Sequence, residues 1–295
     1  MATAVFVGLT TLDIAYAVRR YPDEDSKTQA QNQFLGAGGP AANAAVACAF
    51  LSGRTPALIT ALGEHPLAQM IRRDLDDHGV APLDVTPASG RQPPVSSIVV
   101  ATETGTRTIV SLDGAEISAP FEAGQLGPLN DAAVLLIDGH YPELAIGFAT
   151  AARKSGVTVV LDAGRWRPVH AELLPLTDIA ICSAAFAPPD TDGSPDQVLD
   201  RLRAHGVRQA AITRGGGSMH CSADGHRVDI ETPAATAVDT LGAGDILHGA
   251  FCHYHSAGQP FPEALRNAAA VATLSCEYLG TREWMRHLPS RPPRT

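Results

Sequence analysis

The stretch that decides the fold class begins with Ala133-Val-Leu-Leu-Ile-Asp138, continues through a helical pattern from Glu143 to Ser155, and ends with Val157-Thr-Val-Val-Leu-Asp162. Both short runs are apolar on their two faces, as expected for central strands of a parallel sheet. Gly156, directly after the helical pattern, supplies a left-handed helix stop. The stretch therefore predicts one strand–helix–strand unit.

The same alternation extends over most of the chain. Further strand-like runs cover Ala4 to Gly8, Ala57 to Leu62, Asp178 to Cys182 and Gln209 to Thr213. Further helical patterns cover Pro40 to Leu51, Pro66 to His78 and Pro195 to His205, each followed by a glycine. Alternating strands and helices predict an α/β fold with a mostly parallel central sheet.

Two segments interrupt this alternation. Residues 13–35 are polar and lack a helical period, whereas Val95 to Ala101 and Arg107 to Leu112 flank the turn-like Glu103-Thr-Gly-Thr106. The second pattern is typical of a β-hairpin. We expect segments of about 13–35 and 93–112 to form a small lid of antiparallel strands, inserted in a single domain that spans residues 1–295.

Composition excludes several classes of function. Hydrophobic residues make up 45% of the chain and the net charge is -9, so a packed globule is expected, without nucleic-acid or anionic-membrane partners. The chain contains no run of 18 apolar residues, which a bilayer-spanning helix would need. The 5 cysteines form no CxxC pair, which favours a reducing compartment. A signal peptide would require a basic residue near its start, but no basic residue precedes Arg19. We therefore expect a cytoplasmic protein.

One glycine-rich motif carries chemistry. The stretch Asp239-Thr-Leu-Gly-Ala-Gly-Asp245 comes immediately before a helical run that continues to Ser256. Small residues at a helix start let backbone amides approach an anion, and the helix dipole favours negative charge there. Asp245 could then accept a proton from an attacking hydroxyl. The last four residues alone also fit a helix whose first turn simply carries a favourable aspartate.

The longer motif resembles the C-terminal signature of the PfkB, or ribokinase-like, carbohydrate kinase family. Gly38-Gly-Pro-Ala-Ala-Asn43 resembles the Gly-Gly-x-x-x-Asn substrate motif of that family, about 200 residues earlier in the chain. The resemblance covers essentially the whole chain, and the two motifs occur in the family's order. It implies a ribokinase-like three-layer sandwich with a β-strand lid, and ATP-dependent phosphorylation of a sugar hydroxyl.

The resemblance also implies roles for particular residues. Asp245 matches the catalytic base, and the anion hole for the transferred phosphoryl group is matched by Gly242, Ala243 and Gly244. Substrate contacts are matched by Asp13, Gly39 and Asn43, with Lys27 and Arg107 in the lid. Nucleotide contacts are matched by Thr213, Gly215 and Asn267, the last expected at the start of the final long helix. Asp239 matches a monovalent-cation site, so the implied cofactors are ATP, Mg²⁺ and K⁺.

Three features depart from the family pattern or have a simpler explanation. Many relatives carry Asn-x-x-Glu, linked to magnesium, where this chain reads Ser183-Ala-Ala-Phe186. The loop after Gly63 contains Glu64-His65 where an acidic pair is common. Charged lid residues such as Lys27 and Arg107 are usually solvated; otherwise one of them meets an anionic substrate group.

Other nucleotide and metal motifs fit poorly. The only lysines, Lys27 and Lys154, do not follow glycine, which excludes a Walker A loop. The stretch from Gly36 to Ala41 fits a loose dinucleotide pattern, but it follows a polar segment and lacks a suitable acidic partner. His248, Cys252, His253 and His255 could suggest a metal site, but only His248 and Cys252 share a helical face. We expect these residues to pack in the core or lie on the surface, and not to bind a metal.

The acceptor is left open by the sequence. Similarity to ketohexokinase-like and sulfofructose-kinase-like members favours a ketohexose derivative, with a nucleoside or sugar-phosphate kinase as the alternative. A sugar-binding regulator that has lost catalysis is a different hypothesis, against which the presence of Asp245 argues. Exposed strand edges of the lid also predict a homodimer.

Overall fold

A computed structural model describes residues 3–288, along which strands and helices alternate. The strands are β1 (Thr3–Val7), β2 (Thr11–Val18), β3 (Asn32–Gly38), β4 (Ala57–Thr60), β5 (Ala81–Asp84), β6 (Val95–Ala101), β7 (Thr106–Val110), β8 (Ala132–Ile137), β9 (Thr158–Ala163), β10 (Ile179–Ser183), β11 (Gln209–Arg214), β12 (Gly217–Ala223) and β13 (His226–Ile230). The helices are α1 (Pro40–Ser52), α2 (Pro66–Asp77), α3 (Pro142–Ser155), α4 (His170–Leu173), α5 (Pro195–Ala204), α6 (Ala243–Ser256) and α7 (Phe261–Ser275). Short 3-10 segments cover Ala123–Asp131, Leu174–Leu176 and Glu283–Arg286.

The large sheet has nine strands in the order β13-β12-β11-β10-β9-β8-β1-β4-β5. Pairing is parallel from β11 to β5, and β12 and β13 add an antiparallel hairpin at one edge. The predicted mostly parallel sheet is confirmed, and each predicted strand lies within about two residues of an observed one. The edge hairpin was not predicted from the sequence.

Helices cover both faces of this sheet, which explains why its strands are apolar throughout. In β1, Ala4 and Phe6 belong to the core beneath α1, α2, α6 and α7, whereas Val5 and Val7 belong to the opposite core with α3 and α5. The chain therefore forms the expected three-layer sandwich. All five cysteines are free thiols, and four of them are buried in these cores. Among residues 3–288, every helix is too short or too polar to cross a lipid bilayer.

A second sheet, the lid, has four strands in the order β3-β2-β6-β7. The predicted small strand lid is confirmed, with antiparallel outer pairs, but its central pair, β2 and β6, is parallel. The reason is topological: β2 follows β1 and β6 follows β5, and both preceding strands end at the same edge of the large sheet. Two strands leaving one edge in the same direction pair in parallel.

Helix α1 packs very closely against α6. It begins at Pro40, is buried from Ala41 to Ala49, and ends at Gly53 in the left-handed conformation (φ 71°). On α6, a Cβ atom added to Gly249 would lie 2.1 Å from the backbone oxygen of Ala44. The two helices can approach this closely only because the contact residues lack bulky side chains.

This contact predicts that Gly249→Ala destabilises the protein, although alanine is the better helix former. The new methyl group would overlap backbone, which has little freedom to move, so we expect the free energy of unfolding to fall by about 1–3 kcal/mol. Chemical denaturation monitored by circular dichroism measures it. Gly127→Ala, at an exposed position of the 3-10 segment Ala123–Asp131, is the control, because a Cβ added there would meet nothing within 4 Å. Equal stability of the two variants would contradict the prediction.

Candidate active site

A cleft of about 320 Å³ lies at the carboxyl edge of the large sheet, beneath the lid. Its walls come from the start of α1, the lid strands, the ends of β9 to β11 and the start of α6. The lining side chains that the sequence predicted for the site are Asp13, Asn43, Arg107, Thr213 and Asp245. Residues more than 200 positions apart therefore meet in one pocket, as the two motifs require.

The glycine-rich motif forms the first turn of α6. Gly242 precedes the helix in the left-handed conformation (φ 67°), which disfavours any other residue. A Cβ there would also lie 2.7 Å from the Thr281 side chain. The first amides of a helix have no partner within it, so Gly244 and Asp245, which line the cleft, present N–H groups there. The N–H of Ala243 instead donates to the carbonyl oxygen of Thr240 at 3.3 Å. The geometry suits an anion.

Asp245 is partly buried in the same turn, and the side-chain amide of Asn43 donates a 2.8 Å hydrogen bond to its Oδ2. Desolvation raises the pKa of Asp245 to about 7, and the nearby Asp162 carboxylate and Asp13 act in the same direction. The Asn43 hydrogen bond and His248 oppose the rise. A carboxylate whose pKa lies near neutrality is suited to act as a general base.

His248 lies one turn further along α6 and is buried beneath Asp245. Its Nδ1 is 2.7 Å from the carbonyl oxygen of Gly244, and its Nε2 is 3.1 Å from that of Ile181. The carboxylate of Asp162 lies 3.4 Å from Nδ1, and burial raises the pKa of Asp162. His248 is therefore packed in the core of the site, which is one of the two roles predicted from the sequence.

Gly38 and Gly39 allow the lid to approach the body closely at one wall of the cleft. A Cβ on Gly38 would lie 2.0 Å from the carboxylate of Asp13, and one on Gly39 would lie 2.5 Å from the carbonyl oxygen of Leu9. Asp13 itself is buried on β2, where desolvation raises its pKa, and it accepts a 2.6 Å hydrogen bond from Thr11 Oγ1. Asp13, Gly39 and Asn43 all line the cleft.

The two predicted lid cations differ in position. Arg107 lies on β7, lines the cleft and donates a 2.5 Å hydrogen bond to Thr240 Oγ1. Lys27 lies in the exposed connection between β2 and β3 and is not among the lining residues. The structure therefore brings Arg107, and not Lys27, to the cleft.

The predicted nucleotide residues are also separated. Thr213, at the end of β11, lines the cleft and donates to the carbonyl oxygen of Cys182, whereas Gly215 lies in the exposed turn before β12. Asn267 is in the middle of α7, which begins at Phe261. Its expected place at the helix start was wrong, since the helix starts six residues earlier, with Pro260 at the N-cap and Pro262 in the first turn. Its amide donates a 2.8 Å hydrogen bond to the Gln259 side chain.

Asp239 holds the motif loop in place. Its buried carboxylate accepts 2.8 Å hydrogen bonds from the backbone amides of Leu241 and Gly280. It therefore fastens the loop before α6 to the chain segment after α7. Within residues 3–288, no cluster of three or more His, Cys, Asp or Glu side chains has a metal-binding arrangement.

Sequence reasoning missed a group of polar residues after β8. The buried carboxylate of Asp138 accepts hydrogen bonds from the amides of Leu9 and Ala41, at 2.8 and 3.3 Å. Burial alone would raise the pKa of Asp138, but His140, 3.2 Å away, and these hydrogen bonds hold it below its usual value. Arg167 lies 2.7 Å from the other nitrogen of His140, which lines the cleft. The available signal was an aspartate at the carboxyl end of a central strand.

Comparisons with known proteins agree with this geometry. The model of the pfkB family of carbohydrate kinases matches residues 1–287. A ribokinase from Arabidopsis thaliana is 29% identical over 98% of this chain and 78% of its own length. An ATP-dependent ribose-1-phosphate kinase from Halopiger xanaduensis is 27% identical, covering 96% of this chain and 94% of the relative.

Solved structures share the same fold. Arabidopsis thaliana ribokinase complexed with ribose and ATP superposes with a TM-score of 0.78 at 27% identity, over 95% of this chain and 94% of that one. Ribokinase from Giardia lamblia gives a TM-score of 0.84 at 18% identity, over 100% and 97% of the two chains, which supports the fold alone. The fold and cleft therefore define a ribokinase-like phosphotransferase. The chain belongs to the PfkB family of carbohydrate kinases and is an ATP-dependent kinase of that type.

The Asn43–Asp245 contact predicts a pH-dependent activity. A base must be ionised, so kcat/KM for the acceptor should rise as the pH increases through about 7. Asn43→Ala removes a hydrogen bond that favours the ionised form of Asp245. The acidic limb of the kcat/KM profile should therefore move to higher pH, by about one unit or more. Initial rates across a pH series measure this shift. Asn130→Ala, at an exposed position beside the amino end of β8, is the control; an unmoved limb in Asn43→Ala would contradict the prediction.

Proposed function

We propose that this kinase transfers the γ-phosphoryl group of ATP to a hydroxyl of an unphosphorylated sugar, with Asp245 as general base. The observation that carries the proposal is the position of Asp245, hydrogen-bonded to Asn43 in the first turn of α6 and open to the cleft beneath the lid. Asp245 would take the proton from the attacking hydroxyl. The amides around Gly242, Ala243 and Gly244 would stabilise the charge that develops on the transferred group.

The charges around the cleft favour a neutral acceptor. Asp13, Asp113, Asp162 and Asp245 all line it, and Arg107 is the single Lys or Arg among the lining residues of the described chain. An acceptor that already carries a phosphate would meet excess negative charge, which costs binding free energy. Asp13, Gly39 and Asn43 would instead hold sugar hydroxyls. Ribose-type sugars are the first candidates because of the relatives' names, and ketohexoses are the second.

ATP would bind along the ends of β10 and β11, where Thr213 lines the cleft; contacts from Gly215 and Asn267 remain predictions. Mg²⁺ in phosphotransferases is usually held by phosphate oxygens with one or two carboxylates. The cleft fits this arrangement, since the buried Oδ2 of Asp162 has no hydrogen-bond partner within residues 3–288. Mg²⁺ would neutralise the phosphates when bound, and Asp162 is the residue to hold it. Asp239 would serve a K⁺ site together with main-chain carbonyls.

The lid and the large sheet would act as one kinase domain. Closing the lid over a bound sugar would exclude water and so limit ATP hydrolysis. Five free thiols support a reducing compartment, and we place the protein in the cytoplasm.

The proposal predicts the outcome of an ADP-release assay with Mg·ATP across ribose, ketohexoses, aldoses, their phosphate esters and nucleosides. We expect a neutral sugar to give the highest kcat/KM and phosphate esters to give the lowest. Asp245→Asn should reduce turnover of that sugar by at least about a hundredfold, because an amide cannot take the proton.

Two outcomes of this assay would overturn parts of the proposal. Preference for a phosphate ester would reject the neutral acceptor, and near-normal activity of Asp245→Asn with a native melting temperature would reject the base. Sugar binding by calorimetry without ADP release from any acceptor would favour the sugar-binding regulator.

We also propose a homodimer formed through the lid. β3 and β7 are the edge strands of the lid, and its outer surface exposes large apolar side chains, with exposed fractions of 42% for Tyr16, 46% for Leu35 and 70% for Val110. These three residues project from the same face, as their strand registers require. Exposed large apolar side chains on an open sheet favour association with a second copy.

Light scattering after size exclusion tests the dimer. The native chain has a mass of 30.8 kDa, so light scattering at micromolar concentration should give a molar mass of twice that value. Val110→Lys should shift the mass toward that of the monomer, because the lysine charge would be buried in the interface. Met70→Lys on α2, where Met70 is 42% exposed, is the control. A monomeric native chain would reject the proposal.

A further inference from the structure

Arg282, in the segment that follows α7, reaches the active site from the C-terminal end of the described chain. Its side chain is only 11% exposed, although it carries a charge. Nη1 donates to Asn43 Oδ1 at 3.0 Å and to Thr281 Oγ1 at 2.7 Å. Burial of a guanidinium is unfavourable unless its N–H groups are paired; here both terminal nitrogens are paired, whereas Nε has no hydrogen-bond partner within residues 3–288. The acceptors of the two terminal nitrogens fix the position of the guanidinium.

The contact with Arg282 determines how the Asn43 amide is oriented. A guanidinium only donates hydrogen bonds, so the Asn43 atom that faces Arg282 must be the oxygen. The NH₂ group then faces Asp245, to which it donates at 2.8 Å. If the amide rotated by half a turn, its oxygen would face Asp245, and only a protonated carboxyl group could donate to it.

Arg282 also holds the lid. Its Nη2 donates to the carbonyl oxygen of Ala37 at 2.7 Å and to Asp74 Oδ2 at 3.1 Å, and that same Asp74 oxygen accepts from the amide of Ala37 at 3.0 Å. Both backbone groups of Ala37, near the end of β3, are therefore fixed by one ion pair. Gly38 and Gly39 follow directly, so the same arginine positions the lid strand and the start of α1.

We propose that Arg282 is a positioning residue for phosphoryl transfer: its planar fork orients the Asn43 amide so that Asp245 is kept in the ionised form that accepts the substrate proton. The inference rests on the proposed role of Asp245 as base. Arg282 acts through Asn43 and does not touch the reacting atoms.

Other charged groups around this pair set the background against which Arg282 acts. Asp162 from β9 and Asp13 from β2 disfavour ionisation of Asp245, whereas His248 on α6 favours it. The positive charge of Arg282 favours ionisation of Asp13, and Asp74, which pairs with Arg282, lies 3.6 Å from His78. The Asn43 hydrogen bond and His248 are the two interactions that favour ionisation of Asp245, so the orientation of the Asn43 amide bears directly on the base.

The test compares Arg282→Met and Arg282→Lys with the native enzyme. We expect Arg282→Met to lower kcat at least about tenfold and to move the acidic limb of kcat/KM upward by about one pH unit. Arg282→Lys keeps the charge but not the fork, so it should recover part of kcat and part of the shift. Arg286→Met is the matched control, because Arg286 is 77% exposed and pairs only locally with Glu283.

A double-mutant cycle isolates the path through Asn43. If Arg282 acts by orienting that amide, Asn43→Ala should cause a much smaller further loss in the Arg282→Met background than in the native enzyme. Independent, additive losses, or a lower melting temperature with kcat and the acidic limb unchanged, would overturn the proposal. Failure of the base itself is separate, since it would appear as activity in Asp245→Asn.

Discussion

The site depends on the close packing of α1 against α6. Any Cβ at Gly249 would collide with the backbone of Ala44, the residue after Asn43. The backbones of the two helices are therefore in direct contact at this point. That separation lets the short side chain of Asn43 reach Asp245 directly. A wider spacing would place the amide out of hydrogen-bond range and leave the carboxylate next to Asp162 without a donor. Gly249 and Ala44, which lie just outside the two motifs, therefore set the distance between Asn43 and Asp245 within them.

Several buried carboxylates surround this contact, and their environments differ. Asp138 has backbone donors and His140, which hold its pKa below the usual value despite burial. Asp162 has His248 nearby but no hydrogen bond to Oδ2, and burial raises its pKa. Asp13 accepts a hydrogen bond from Thr11, yet burial raises its pKa as well. Asp245 has one amide donor, and desolvation raises its pKa to about 7, which suits reversible proton transfer near neutral pH.

Local sequence patterns predicted the layers of the fold well, and long-range geometry poorly. The strand at Ala133 to Asp138 and the helix after Pro142 were predictable because their periodicity and glycine stops are encoded within a few residues. The parallel pairing of β2 with β6 depends on which edge of the large sheet each preceding strand leaves, which no local pattern records. The same limit applies to the site. Asn43 and Asp245 lie within motifs, whereas Arg282 carries no local signal and meets Asn43 only after folding.

The chain after α7 has a structural role that its composition does not suggest. Gly280 donates to Asp239, and Thr281 packs where a Cβ on Gly242 would lie, so this segment supports the anion-binding turn from behind. Arg282 continues the same segment to the lid strand and to Asn43. One short stretch thus contacts Asn43, the turn at Gly242 and the lid. Because these contacts are hydrogen bonds to backbone and buried polar groups, displacing the segment would leave several of them unpaired at once, which is costly. The edge strand β3 of the lid, the turn at Gly242 and the Asn43–Asp245 contact are therefore physically linked through residues 280–282.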